Sequence, residues 1–291
     1  MRISDSAAFD NVKRQINKAR ENMATAQEQA SSGMRVNKPS DDPVAAAQAR
    51  REASRKALAD AGKAATEQAQ GQLEGTDAAL SDVFEGLTTA RGLALQGASS
   101  TMGPENRTAA ANEVRKIREQ MIALGNTNIN GRYVFGGYRD QTPPFNTSGT
   151  FVGDSMTKEV QALPGLKVST SISGQVAFGT DGSDDLLGSL DALASALESN
   201  DIDAVQATIK GLNANHERIL NVRTQVGAMI DSVQVANSVA DNQSYRAQIE
   251  IGRLVQIDEI TAATNFVQAK GALESALAIA QQIPVGGLAG K

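Results

Sequence analysis

GMRVNKPSDDPVAAAQAR, residues 33–50, combines a chain break with a helix start. Pro39 disfavours a helical conformation for the residue before it, so a helix reaching this point ends there. Asp42 is a favoured residue type at a helix N-terminus, and Pro43 at the first helical position loses no hydrogen bond. The stretch therefore predicts a turn, with a second helix running on from Val44. The residues assigned to this turn and cap are Gly33, Arg35, Pro39, Ser40, Asp41, Asp42 and Pro43.

The adjacent carboxylates of Asp41 and Asp42 also raise the possibility of a Mg²⁺ or Ca²⁺ site. Such cations need several more oxygen ligands at regular spacing, and no such series follows in the sequence. The Asp184–Asp185 pair meets the same objection. We therefore interpret Asp41 and Asp42 as parts of a helix cap and predict neither a metal nor a cofactor.

The distribution of proline predicts long helices. The seven prolines leave residues 44–103, 105–142 and 165–283 without one, and these runs are rich in Ala, Gln, Glu, Lys, Arg and Leu. Such composition favours helix over other structure. The fold class predicted is mainly α, with long helices forming a terminal coiled coil and a helical rod, and with a small β-rich insertion mid-chain.

Two apolar stripes at opposite ends of the chain advance in steps of three and four, the spacing of a helix–helix seam. Their members are Phe9, Val12, Ile16, Ala19, Met23, Ala26 and Ala30 at one end, and Ala262, Phe266, Ala269, Leu273, Ala276, Ala280 and Ile283 at the other. Alanine dominates both, so we expect the pair to need neighbouring subunits for a stable fold. The side chains predicted to pack between subunits are Phe9, Val12, Ile16, Met23, Phe266, Leu273, Leu277 and Ile283.

The middle of the chain has strand character. Residues 133–178 hold six of the ten aromatic residues, and short β-branched pieces alternate there with glycine and proline. We expect GRYVFGG, residues 131–137, to form a hairpin at the end of the rod. Tyr133 and Phe135 would be its packed side chains, and Gly136 and Gly137 would permit the turn. Its residues are Gly131, Arg132, Tyr133, Phe135, Gly136 and Gly137. A helix should restart afterwards, capped by Ser183 or Asp184.

These patterns divide the chain into five predicted segments. They are an N-terminal arm and turn (1–43), the first half of the rod (44–137), an outward β-rich insertion (138–182), the second half of the rod (183–250) and a C-terminal arm (251–291).

The composition argues against an enzyme or a nucleic-acid binder. Aromatic residues make up 3% of the chain, cysteine is absent, there is one histidine, and the net charge is −5. Small-molecule pockets normally recruit aromatic residues, and nucleic-acid binders concentrate basic ones. His216 stands alone in a helical run and is interpreted as a packing residue. No run approaches 18 apolar residues, and the N-terminus lacks the apolar core of a signal peptide, so we expect no membrane span and no cleavable signal.

Three segments resemble the bacterial flagellin family. QEQASSGMRVNKPSDDPVAAAQA (27–49) is similar to the family's Gly-x-Arg turn followed by SDDP. NTNINGRYVFGGYRDQTPPF (126–145) resembles the block of the members that join hook to filament, with Gly136 where alanine is common. The stretches 223–233 and 251–282 resemble the C-terminal arm. The resemblance spans essentially the whole chain, and the final PVGGLAGK matches no motif of the family.

The resemblance implies a structural, non-enzymatic protein of the flagellum. It implies export through the flagellar type III channel, an export chaperone as a partner before secretion, and assembly with copies of itself into a ring at the hook–filament junction. The other junction protein and filament flagellin would be its neighbours. A filament flagellin is the alternative within the family. A soluble enzyme with a site in the β insertion, or a coiled-coil signalling protein, is the alternative outside it.

Overall fold

The computed structural model describes residues 2–180 and 185–282, with side chains for residues 10–180 and 185–281. The chain forms two compact units. Residues 1–57 and 243–291 make up the first, here called the arm unit, and residues 58–242 make up the second, here called the central unit. The five-segment division inferred from the sequence stays a prediction.

Long helices dominate both units, which confirms the predicted fold class. The helices are α1 (Arg2–Ser32), α2 (Pro43–Gly97), α3 (Pro104–Gly125), α4 (Gly174–Phe178), α5 (Leu186–Glu198), α6 (Ile202–Val255) and α7 (Glu259–Gln282). The strands are β1 (Asn128–Ile129), β2 (Arg132–Tyr133), β3 (Glu159–Leu163) and β4 (Leu166–Ser169), paired antiparallel as β1–β2 and β3–β4. None of the described helices is both long enough and apolar enough to span a bilayer.

The core of the central unit rests on two series with a seven-residue spacing. Leu73, Leu80 and Leu87 of α2 are fully buried, and so are the side chains at the same spacing in α6, namely Leu212, Ile219, Val226 and Val233. Both series belong to one apolar cluster. Burial of each large aliphatic side chain stabilises the fold by roughly 1.5–3 kcal/mol. This repeat is present in the sequence, but the prediction of helix packing rested on the alanine-rich terminal stripes and did not include it.

Polar contacts link α2 to α6 within the central unit. The Arg223 guanidinium donates to both carboxylate oxygens of Asp77, at 3.0 and 3.2 Å. Asn237 Nδ2 donates to the buried Thr66 hydroxyl at 3.0 Å. A two-pronged arginine–carboxylate contact fixes direction as well as distance, so it sets the register of the two helices.

Arg107 joins three chain segments at one end of the central unit. Its side chain is buried, with Nε 2.8 Å from the carbonyl oxygen of Gly97, the last residue of α2. Nη2 donates to the Ser99 carbonyl at 2.6 Å, and Nη1 donates to the Asn200 side-chain oxygen between α5 and α6. The last carbonyls of a helix have no partner within the helix, so Arg107 supplies one for α2.

Asp185 caps α5. Its carboxylate accepts hydrogen bonds from the backbone N–H groups of Leu187 and Gly188, both at 3.2 Å. The sequence placed this cap at Ser183 or Asp184, which lie outside the described residues. The cap found is the next acid along the chain, and its side-chain oxygens reach two of the unpaired N–H groups at the helix start.

His216 lies against an aromatic ring in the central unit. Its ring centroid is 4.2 Å from that of Phe84, and Nε2 is 3.5 Å from the Thr88 hydroxyl. Burial lowers the pKa of His216 below its ordinary value of 6.5; Arg91 adds to this shift and Glu217 opposes it. The folded state therefore favours the neutral imidazole.

The position of His216 predicts a loss of stability in mildly acidic solution. Its contribution is present above the unfolded-state pKa of 6.5 and declines as the pH falls, because the unfolded chain then takes up the proton more readily. We expect the thermal midpoint to fall between about pH 7.5 and pH 5.5, where histidine is the side chain that titrates. His216→Gln should flatten this slope, measured by circular dichroism. Equal slopes in both proteins would contradict the assignment.

Candidate assembly surfaces

Asp42 lies at the start of α2 in helix-capping geometry. Its Oδ1 accepts a hydrogen bond from the Ala45 backbone N–H at 3.0 Å, and its own carbonyl oxygen accepts from Ala46 N–H at 2.9 Å. Asp41 acts on the other side, where Oδ2 accepts from the N–H groups of Asn37 and Lys38. Both carboxylates are thus occupied by backbone donors. Residues 2–180 and 185–282 contain no cluster of acids and histidine that could hold a metal ion.

Arg35 connects this turn to the end of α6 within the arm unit. Its Nη1 lies 3.0 Å from Asp42 Oδ2, and its Nη2 donates to the carbonyl oxygen of Leu254 at 3.0 Å. A cation at the C-terminus of a helix and an anion at the N-terminus of another are both favourable for the helix dipoles. One guanidinium therefore serves the C-terminal end of α6 and the N-terminal cap of α2.

Backbone hydrogen bonds join the turn between α1 and α2 to the turn between α6 and α7. Arg35 N–H donates to the carbonyl oxygen of Val255 at 2.7 Å, and Ile257 N–H donates to that of Gly33 at 3.0 Å. Gly33 has a φ of +67°, a conformation that glycine adopts at little cost. The sequence located the turn between α1 and α2 but not the one between α6 and α7, which contains neither proline nor glycine.

Asp258 lies in the turn between α6 and α7. Its Oδ2 accepts from the Thr261 backbone N–H at 3.0 Å, so it caps α7. An aspartate followed by a run of helix-favouring residues is a start signal that could have revealed this boundary.

Asp42→Asn and Asp42→Ala separate the two roles of Asp42. The Ala45 N–H and the Arg35 guanidinium lower the pKa of Asp42 below its ordinary value of 3.8, so the stabilisation is present above that value and lost as the pH falls through the lowered one. Asn keeps a capping oxygen but removes the charge. We expect Asp42→Ala to speed hydrogen exchange at the start of α2 severalfold, and Asp42→Asn to change it little. Equal acceleration in both would assign the effect to the ion pair instead.

The terminal stripes face each other where α1 packs against α7. Val12, Ile16 and Met23 on α1 are half-buried, as are Phe266, Leu273 and Leu277 on α7. The side chain of Phe9 and the whole of Ile283 lie outside the described residues. The pair therefore covers these stripes only in part, and their packing between subunits stays a prediction.

Other apolar side chains of α7 are more exposed. Ile260 is 78% exposed, Val267 is 67% exposed and Ile279 is 54% exposed. Beside the helix pair runs a groove of about 570 Å³, lined largely by amide and alanine side chains, including Gln15, Asn22, Gln29, Asn265 and Gln268. The arm unit thus presents uncovered apolar and amide surface.

The hairpin in the central unit lies earlier in the chain than its predicted position. Asn128 pairs with Tyr133 and Ile129 with Arg132, so the turn is formed by Asn130 and Gly131, with φ of +52° and +80°. Asn-Gly is the favoured pair for a two-residue hairpin turn because both positions need positive φ. Of the predicted hairpin GRYVFGG, Arg132 and Tyr133 lie in strands; Gly136 and Gly137 form a separate turn.

Phe135 belongs to the core of the central unit, while Tyr133 is half-buried. The Phe135 ring meets that of Phe178 edge-on, with ring centroids 5.7 Å apart, and the Phe178 centroid lies 4.8 Å from that of Phe145. Gly137 has a φ of +60°, and a Cβ there would lie 2.3 Å from the Asp154 carbonyl oxygen. Tight packing of another chain segment therefore requires this glycine.

Asp140 links β2 to the segment that leads into β3. The residue is 4% exposed, and its carboxylate pairs with Arg132 Nη1 at 2.7 Å and with the ammonium of Lys158, the residue before β3. Burial would raise the pKa of Asp140, but Lys158 and Arg132 together hold it below its ordinary value. The buried acid is therefore charged and fully engaged as a structural link.

A cavity of about 560 Å³ is lined by residues between 148 and 155 and by residues of α3 and α5. An active site in the β insertion would lie here. Arg118 lines this cavity and already has partners within the chain. Its Nε lies 2.8 Å from Asp191 Oδ2, and its Nη2 donates to the Ser148 carbonyl oxygen at 2.6 Å. The arrangement is that of an ion pair supporting a loop.

Residues 3–140 match the family described as the bacterial flagellin N-terminal helical region. Flagellar hook-associated protein 3 of Salmonella typhimurium is 28% identical, with 94% of this chain and 94% of that protein covered. The protein of the same name from Escherichia coli is 26% identical at the same coverage. The chain is similar over nearly its whole length to proteins named flagellar hook-associated protein 3. The resemblance to flagellins drawn from the turn, the 126–145 block and the C-terminal arm is thus confirmed.

Solved structures of flagellar hook-associated proteins have the same fold as this chain. A flagellar hook-associated protein of Vibrio parahaemolyticus matches with a TM-score of 0.68 at 19% identity, covering 74% of this chain and 100% of that one. FlgL of Bacillus cereus matches with a TM-score of 0.56 at 21% identity, covering 68% of this chain and 96% of that one. At these identities the likeness establishes the fold.

Proposed function

We propose that this protein assembles with copies of itself into a ring between hook and filament, and that the ring lets the flagellin filament grow. The observation that carries the proposal is the end-to-end match to proteins named flagellar hook-associated protein 3, over 94% of the chain. The function is mechanical coupling and requires neither catalysis nor a cofactor.

The arm unit supplies the surface for assembly. In the isolated chain, Phe266 and Leu273 are half-buried and Ile260 is largely exposed. Covering apolar area stabilises an assembly by about 25 cal/mol per Å², so neighbouring arms gain by packing onto these helices. The turn that contains Arg35 and Asp42 then leads the chain from α1 into α2.

The partners follow from the same resemblance. They are copies of this chain, the other hook–filament junction protein, filament flagellin and, before secretion, a flagellar export chaperone that holds a terminal helical region. Export uses the flagellar channel, and the final location is extracellular, in the flagellum.

Deletion of the gene in its motile host tests the proposal. We expect cells with bare hooks that release normal amounts of unpolymerised flagellin, and restoration of filaments by the wild-type gene. Loss of the main flagellin from the medium would identify the protein as the filament subunit. Intact motile filaments in the deletion strain would overturn a role in the flagellum.

A further inference from the structure

One face of α2 in the central unit is exposed along more than five helical turns. Its residues advance in steps of three and four and are small or acidic; they are Ala64, Glu67, Gly71, Glu74, Ala78, Asp82 and Glu85, all exposed. We call this face the acidic seam. Steps of three and four place side chains in a single line, which is the geometry that receives a second helix. Four carboxylates and no basic residue lie in that line.

Gly71, at the middle of the seam, has no packing reason within the chain. Glycine inside a helix costs about 1 kcal/mol relative to alanine. At Gly62, Gly75 and Gly86 of the same helix, a Cβ would lie 2.0 Å or less from atoms of this chain, which explains those glycines. A Cβ at Gly71 would meet nothing within 4 Å. The space beside Gly71 is therefore open to another chain.

The complementary charge lies on the first turns of the same helix. Arg50, Arg51 and Arg55 are exposed there, and Arg55 also pairs with Glu52 one turn earlier. We call these three arginines the basic face. The asymmetry extends to the units: the arm unit holds 15 basic and 11 acidic residues, and the central unit holds 13 basic and 22 acidic ones. Surfaces of opposite sign on one molecule attract when copies meet.

We propose that the basic face of α2 in one copy docks on the acidic seam of α2 in a second copy. This inference rests on the proposed ring and names a contact within it. The two faces occupy different stretches of the helix, so each copy offers both at once. A contact between two different faces is head-to-tail, and repetition of such a contact closes a ring or extends a filament.

Light scattering of the full-length protein tests the contact even where no stable complex forms. The osmotic second virial coefficient should indicate attraction at low ionic strength, and that attraction should weaken as salt is added. Glu67→Lys with Glu74→Lys should abolish the salt-dependent part. Glu113→Lys with Glu119→Lys, at exposed positions of α3, changes the net charge equally and should leave it intact. Loss in both pairs, or no attraction in the wild-type protein, would overturn the proposal.

Exchange of the charges between the two faces is the decisive test. Arg50→Glu with Arg51→Glu should also abolish the attraction. A chain carrying all four changes, at 50, 51, 67 and 74, should recover it, because each reversed face again meets its opposite. Continued loss in the fourfold variant would contradict a direct contact between these faces.

Gly71→Ala separates assembly from folding. Because its Cβ meets no atom of the chain, we expect it to raise the thermal midpoint by a few degrees, as roughly 1 kcal/mol does in a unit of this size, while weakening the attraction. Gly92→Ala is the matched control, since a Cβ there also meets nothing within 4 Å and the residue lies beyond the seam. It should raise the midpoint alone. Unchanged attraction in Gly71→Ala would remove this glycine from the contact.

Complementation of the deletion strain distinguishes the two proposals. If the strain carries bare hooks and Glu67→Lys with Glu74→Lys restores full motility, the junction function stands and the contact is overturned. If deletion leaves filaments intact, the junction function fails, while the light-scattering result still decides the contact. Failure of the double variant, together with rescue by the fourfold variant, supports both.

Discussion

Replacement of Arg107 with alanine is expected to lower the free energy of unfolding of the central unit by about 3–4 kcal/mol. The guanidinium is buried and donates to the carbonyl oxygens of Gly97 and Ser99 and to the side chain of Asn200. Alanine leaves these acceptors without a donor, and a buried unsatisfied group costs about 1–3 kcal/mol. The thermal midpoint should fall by on the order of 10 °C. Urea unfolding measures the free energy and a thermal melt measures the midpoint, both followed by circular dichroism.

Arg115→Ala is the matched control, because it removes an arginine from the same helix. Arg115 is exposed and pairs with the exposed Glu198. A surface pair of this kind contributes about 1 kcal/mol or less. Arg107→Lys should fall between the two, since an ammonium cannot reach three acceptors in a fixed plane. If Arg107→Ala and Arg115→Ala unfold at the same urea concentration, the buried cluster does not stabilise the unit.

Gly137→Ala is the second large expected effect, a loss of about 2–5 kcal/mol. The residue has a φ of +60°, where a side chain costs about 1–2 kcal/mol. In addition, its Cβ would lie 2.3 Å from the Asp154 carbonyl oxygen, and relieving such overlap typically costs about 1–3 kcal/mol. The free energy of unfolding from urea titration is again the measurement.

Gly165→Ala isolates the conformational part of that loss. Gly165 follows Pro164 in the turn between β3 and β4 and has a φ of +85°, but a Cβ there meets nothing within 4 Å. We therefore expect it to cost about 1–2 kcal/mol. The difference between the two variants measures the close approach of the segment around Asp154. Equal losses would show that backbone conformation alone requires Gly137.

Local signals of the sequence predicted where α2 begins. Pro39, Asp42 and Pro43 act on their own neighbours, and the start of α2 at Pro43 follows from them. The Asn130–Gly131 turn carried an equally local signal, yet the prediction placed the hairpin turn at Gly136–Gly137. Gly136 makes room for the Arg139 carbonyl in a separate turn, whereas Gly137 makes room for the segment around Asp154, which the residues next to Gly137 in the sequence do not reveal.

The sequence by itself determined the mainly α class, the cap at Asp42 and the apolar stripes of α1 and α7, because propensity, capping and periodicity act within a few residues. The tertiary structure alone decided that Arg35 binds the carbonyl oxygen of Leu254, 219 positions away, and that Arg107 gathers three segments. It also decided which glycines of α2 are packed and which, like Gly71, face open space. Such contacts depend on where distant segments come to lie, and nothing local in the sequence encodes that placement.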